Sequence, residues 1–170
     1  VLDYVRIRFP TQDVRHVVKD ILRLKLDVMI HEDYGFYSYA EHYVLGDVFV
    51  LASPDKEKGT LLELKGKGCR QMESYLLAQH RSWYDFLMDA LVEGGVMKRL
   101  DLAINDMAGI LDIPELTEKC NHEECISVFR SFKSYRSGEL VRSQEQDKYG
   151  MGNALYVGSL KSEVYFCIYE

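Results

Sequence analysis

Apolar and polar residues alternate through "LDYVRIRFP", with Val5, Ile7 and Phe9 to one side and Tyr4, Arg6 and Arg8 to the other. That is the period of a half-buried strand. Pro10 ends it, and "TQDVRHVVKDILRLK" follows at helical period with Thr11 in the N-cap position. "YGFYSYAEHYVLGDVFVLASP" is dense in aromatic and β-branched residues and breaks at Gly46–Asp47, which predicts a hairpin. "GTLLELKGKG" predicts another short strand. From about Gln71 to Glu93 the pattern predicts one long helix, with Leu76, Leu77, Tyr84, Leu87, Met88 and Leu91 on its apolar side and Gly94–Gly95 as its stop. "VMKRLDLAIND" alternates again, and "IPELTEKCNHEEC" predicts a short helix with Pro114 near its start. "SVFRSFKSYRSG", "NALYVGS" and "EVYFCIYE" predict three closing strands joined by polar turns.

Most neighbours in this order can pair antiparallel through short links. The expected fold is therefore α+β: a single antiparallel sheet with helices packed on one face and the other face open. The 170 residues suit one domain, 1–170. An apolar content of 47% with three prolines is a globular composition. Four cysteines show no paired framework, which fits a reduced, cytoplasmic setting, and no apolar run has transmembrane length. The net charge of −6 argues against a broad, non-specific hold on nucleic acid, although a local basic stripe is compatible with it. The start at Val1 and the end inside a strand suggest a domain cut from a longer protein.

Alternation also gives the contents of the open face. Leu100, Leu102 and Ile104 point to the core, so Arg99, Asp101, Ala103 and Asn105 point away. Glu63 and Lys65 point outward between Leu62 and Leu64, as do Tyr4, Arg6 and Arg8 on the first strand and Tyr165, Cys167 and Tyr169 on the last. Two carboxylates are the hard-oxygen ligands that Mg²⁺ or Mn²⁺ takes beside a phosphate, and the cations suit phosphate oxygens. A tyrosine, with its ordinary pKa near 10, needs a metal or a base to become a nucleophile. The same pattern equally describes a solvated sheet face with ordinary polar residues.

"LLELKGKGCRQ", "KRLDLAIND" and "LYVGSLKSEVYFCIYE", in that order and spacing, resemble the Rep_trans family over nearly the whole chain. That family comprises rolling-circle plasmid replication initiators and the related relaxases of Gram-positive conjugative elements. "GCRQMESYLLAQHRSWYDFL" resembles the relaxase branch in particular. The resemblance implies a metal-dependent DNA nicking-closing transesterase that cuts one strand at an origin and holds it as a 5′-phosphotyrosine. It implies Tyr169 as nucleophile, Glu63 and Asp101 as ligands of Mg²⁺ or Mn²⁺, origin DNA as a single strand or hairpin, a homodimer, and helicase or transfer-machinery proteins as partners. The family continues past this tyrosine with a lysine and another acidic strand, so the chain is expected to be a catalytic domain truncated at its C-terminal end. The alternatives are a module that binds origin DNA without cutting it, and an interaction protein with an acidic surface.

Other residues have two readings each. Arg6, Arg8, Arg70 and Arg99 are candidate phosphate contacts or plain surface arginines. Lys65 and Lys67 lie in "KGKGCR", whose glycines would admit a DNA backbone, or they form a turn leading into a helix. Asn105 could orient a phosphate or end its strand, and Asp106 competes with Asp101 for the metal or serves a turn. "YGFYSYAEHY" could stack unpaired bases or pack on itself. Trp83 is expected in the core, and Cys120, His122 and Cys125 match no standard zinc spacing. The five histidines contain no His-hydrophobic-His pair, the metal motif of the other relaxase design.

Overall fold

Val5, Ile7 and Phe9 have no solvent exposure along one side of the first strand, β1 (Leu2–Phe9). The computed structural model describes residues 1–136, 152–159 and 161–169, which fall into two compact units, Val1–Ile104 and Asn105–Glu170. In the first unit, β1 sits between β5 (Thr60–Lys65) and β6 (Val96–Leu102). With β2 (Ile30–Glu32), β3 (Glu41–Leu45) and β4 (Val48–Ala52) it forms a six-stranded antiparallel sheet of order β2-β3-β4-β5-β1-β6. The predicted hairpin is β3–β4. Gly46 has φ of +60° as the first of its two loop residues, where a type II′ turn calls for glycine.

Three helical segments cover one face of this sheet. The first, α1, is Val14–His16 running into a π-helical turn at Val17–Ile21, and it buries Val14, Val17, Val18 and Ile21. Its N-cap is Asp13, whose side chain accepts from the His16 amide, and not Thr11 as expected. The Thr11 hydroxyl instead accepts from the Asp13 amide, one step outside the helix. The expected long helix is two, α2 (Lys67–Ala78) and α3 (Trp83–Val92). His80 turns left-handed between them, with φ of 54°. Ser82 and Asp85 form a reciprocal capping box that restarts the helix. The restart resets the helical phase, so the buried residues are Cys69, Met72 and Leu76 on α2 and Phe86 and Ala90 on α3. Leu77 and Tyr84, expected inside, are 70% exposed, and Met88 and Leu91 are also exposed. Trp83 packs half-buried against the core, as expected.

The second unit holds α4 (Ile113–Asn121), capped by Asp112 and with Pro114 in its first turn, followed by β7 (Phe132–Arg136), β8 (Asn153–Gly158) and β9 (Tyr165–Tyr169). These strands pair only with each other, in the order β7-β8-β9, and α4 packs against β8 with Leu155, Ile113 and Thr117 buried. The ends of two expected strands, at Ser137–Gly138 and at Glu170, lie outside the described residues.

The class is the expected α+β with antiparallel pairing and helices on one face. The described strands nevertheless form two sheets and not one, because the chain leaves β6 after Leu102 for turns and α4 before any further strand begins. Leu100, Leu102 and Ile104 do not enter a core: Ile104 is 94% exposed and the other two are also open. Among the described strands β6 pairs on one side only, and an edge strand has no second neighbour to enclose it.

Candidate active site

On the face of the six-stranded sheet opposite the helices, register lines up the polar side chains in rows. Phe49, Glu63, Arg6 and Arg99 lie opposite one another across β4, β5, β1 and β6, and Lys65, Tyr4 and Asp101 form the neighbouring row. Arg99 and Asp101 share this face by ordinary alternation, and a bulge at Lys98, where Arg6 pairs with Arg99 but Ile7 with Met97, brings Met97 round to the core side. The sequence expectation that Tyr4, Arg6, Glu63, Lys65, Arg99 and Asp101 share a face therefore holds.

Glu63 is not open to solvent, however: only 3% of it is exposed. The Tyr4 hydroxyl donates to its Oε1 at 2.5 Å, Arg6 donates to the same oxygen through Nε at 3.0 Å and through Nη2, and Lys65 Nζ lies 2.9 Å from Oε2. Burial works against its charge, but the hydrogen bonds from Tyr4, Lys65 and Arg6 outweigh burial and hold its carboxyl below the usual range. Burial, followed by the hydrogen bond and charge of Glu63, pushes the Tyr4 phenol well above its ordinary value. Lys65 is likewise held in its charged form, first by its hydrogen bond to Glu63. Asp101 is more open and is gripped by Arg99, whose Nε donates to Oδ1 at 2.8 Å and whose Nη2 donates to Oδ2 at 2.5 Å. The Arg99 guanidinium also lies 4.2 Å from the centre of the Tyr4 ring.

An aromatic arm between β2 and β3 folds over the same face. Phe36 meets Phe49 edge-on at 6.3 Å, and Tyr34 and Phe36 both pack on His42, which is buried on β3. At the tip Tyr37 and Ser38 are both left-handed, with φ of 55° and 62°. That shape costs a non-glycine residue roughly 1–2 kcal/mol. Tyr37 is held there by the Arg6 guanidinium, 4.3 Å from its ring centre, and by Lys65 Nζ, which donates to its hydroxyl at 3.2 Å.

In the second unit, α4 covers the Leu155 side of the small sheet. Register places Tyr169, Ala154 and Tyr135 in one row on the other side, with Cys167, Tyr156 and Lys133 in the next. Tyr156 stacks on Tyr165 at 5.9 Å and meets Tyr135 edge-on at 5.5 Å. Tyr169 is 67% exposed on this aromatic face. It thus occupies an uncovered sheet face as expected, but on a different sheet from Glu63 and Asp101.

The remaining candidates do other work. Arg8 Nη1 donates to the Glu57 carbonyl at 2.6 Å, and Arg70 Nη1 donates to that of Leu2 at 3.2 Å. Lys67 is the first residue of α2, so Lys67 and Arg70 belong to the helical layer and not to the polar rows. Asn105 and Asp106 belong to the second unit, past the end of β6. Asp106 caps a turn, accepting from the Ala108 amide at 3.2 Å and the Leu111 amide at 2.7 Å. Cys120 and Cys125 bring their sulfurs to 3.3 Å.

Among the described residues no group of three or more His, Cys, Asp or Glu side chains is placed to cage a metal. The donor set still fits a hard cation such as Mg²⁺ or Mn²⁺, which binds through one or two carboxylates and shares the rest of its shell with phosphate and water. In the structure Glu63 is paired with Lys65 and Asp101 with Arg99.

Residues 1–89 match the family described as the rolling circle replication initiation protein N-terminal domain, and residues 95–170 match the family described as replication initiation factor. The chain belongs to the rolling-circle replication initiator family. The chain is 42% identical over its full length to a Bacillus subtilis (strain 168) protein named "Putative DNA relaxase NicK", and it spans about half of that relative (47%). A solved rolling circle replication initiator protein from Geobacillus stearothermophilus shares its fold, with a TM-score of 0.78 at 24% identity, over all of this chain and 66% of that one. Among the described residues no helix is long and apolar enough to cross a membrane. Sequence reasoning gave Tyr4 no bonding role on the polar face and did not bring Tyr37 to it. The alternation had placed Tyr4 beside Arg6, which was the available signal, but nothing in the pattern brought Tyr37 to that face.

Proposed function

We propose that this chain is the nicking and closing part of a site-specific DNA strand transferase acting at an origin. The observation that carries the reading is the exposed Tyr169 phenol on an uncovered sheet face, in a chain of the initiator family. Its Oη attacks the scissile phosphorus, a P–Oη bond forms as the P–O3′ bond breaks, and the leaving oxygen takes a proton to become a 3′-hydroxyl. One phosphodiester replaces another, so the reverse attack by a 3′-hydroxyl rejoins the strand. Glu63 and Asp101 are the residues that would hold Mg²⁺ or Mn²⁺, which when bound supplies charge neutralisation at a phosphate. Arg6, Lys65 and Arg99 suit phosphate oxygens once they leave their carboxylates. Origin DNA, melted or in a hairpin, is the partner this chemistry requires.

The test is incubation with supercoiled plasmid carrying the cognate origin and Mn²⁺, followed by denaturing electrophoresis. Wild type is expected to give nicked circles and a protein–DNA adduct, and Tyr169→Phe neither, with DNA binding retained. Equal nicking by Tyr169→Phe overturns the assignment of the nucleophile. Binding without nicking by the wild type supports the module that recognises an origin without cutting it.

A further inference from the structure

Beside the Glu63 cluster lies a groove of about 440 Å³ lined by Phe36, Tyr37, Asp47, Phe49, Glu63 and Lys65. Its size falls within the range of small-ligand pockets, about 300–1,000 Å³. Phe36 packs on His42 and Phe49, and Tyr37 carries the Arg6 guanidinium, but both remain exposed and still present part of their ring surface to solvent. The rest of the arm is anchored: Tyr34 and Phe36 rest on His42, and the Tyr39 hydroxyl donates to the Lys58 carbonyl. The groove is therefore held open by a braced arm on a rigid sheet.

Its charges select among flat ligands. Lys65 uses two of its three donors on Glu63 and Tyr37, while the charges of Arg6 and Lys65 are balanced by buried Glu63 and exposed Asp47. Apolar aromatic walls next to a lysine with a donor to spare match one nucleotide, with its base against the rings and its phosphate on the cations. Exposed Asp47 at the rim accepts from the ring or amino N–H groups that a base displays when it is not paired. A base held in a duplex has its faces covered by its neighbours and cannot enter.

We propose that the groove walled by Phe36, Tyr37 and Phe49 takes one unpaired nucleobase of single-stranded DNA, while Lys65 and Arg6 hold the adjoining phosphate. The inference deepens the relaxase reading, since it names the form of DNA the first unit would recognise. It is tested by binding alone, so the two can fail separately.

The experiment compares two fluorescein-labelled strands of about twelve nucleotides, an oligothymidylate and a fully abasic strand with the same backbone, on the Tyr169→Phe protein. Fluorescence anisotropy gives Kd for each strand, and the ratio isolates what the bases contribute. The expected result is a preference for oligothymidylate of about tenfold or more. Phe36→Ala and Tyr37→Ala should each narrow that ratio several-fold while leaving the abasic Kd unchanged. Because the abasic strand reports any general loss of folding or charge, a damaged variant is recognised by a change in that Kd. Tyr37→Phe, which keeps the ring, then decides the matter by retaining the preference. Absence of the preference in the unsubstituted groove, or an undiminished ratio in both alanine variants, overturns the proposal. A wild type that binds origin DNA without nicking it would remove the relaxase reading and leave this ratio as it is.

Discussion

A carboxylate as enclosed as Glu63 keeps its charge because Tyr4, Lys65 and Arg6 all donate to it. Its folded pKa lies below its unfolded value, so its contribution to stability is complete above the ordinary glutamate range and is lost as pH falls through the depressed folded value. Glu63→Gln keeps an acceptor for Tyr4 but removes the charge that Arg6 and Lys65 serve, at a cost of about 1–3 kcal/mol at neutral pH. Urea midpoints of wild type and Glu63→Gln, followed from neutral pH to well below the ordinary glutamate pKa of about 4.3, are expected to converge as the wild type loses its advantage. A gap that stays constant with pH would mean that the charge contributes nothing. Alternation placed Glu63 on the right face but could not report its burial. The residues that close over it come from a separate strand and from the arm, and contacts at that range leave no local pattern.

The break between α2 and α3 depends on Ser82, which accepts from the Asp85 amide while Asp85 accepts from the Ser82 amide and hydroxyl. Ser82→Ala removes one half of this box and should lower stability by about 1 kcal/mol, read as a reduced urea midpoint with unchanged slope. The break was legible in principle, since serine followed three residues later by an acid marks a helix start. It was hidden because both flanking segments already run at helical period. Buried Arg81 fixes the same junction, donating to the Ile21 carbonyl at 3.1 Å and to Asp89 at 2.7 Å. For β6 the obstacle was different. Periodicity says which side chains share a face, and it did so correctly for Arg99 and Asp101. It does not say whether a strand lies inside a sheet or at its edge, so the exposure of Leu102 and Ile104 could not be read from it. The hairpin at Gly46–Asp47 was readable because its signal is confined to the turn itself.

Each unit has its own interior, the first built around Val5, Ile7, Phe9 and Phe86 and the second around Leu155. Leu155→Ala removes the most buried apolar side chain described in the second unit and should cost about 2–5 kcal/mol there. Hydrogen exchange is the measurement: amides of β7, β8 and β9 should lose protection while those pairing β1 with β5 keep theirs. Division into two sheets was not legible, because three consecutive strands with polar turns can extend an existing sheet or start a new one with the same sequence pattern. The first unit's polar face carries Arg6, Arg8, Lys65 and Arg99 against Glu63 and Asp101, on a chain whose net charge is −6. A polyanion such as the proposed DNA would be attracted to this face locally, while the net charge of the chain opposes a general hold. The polyanion's heading is set in the final stretch of solvent, within a screening distance of about 8 Å at physiological salt, before any atom touches.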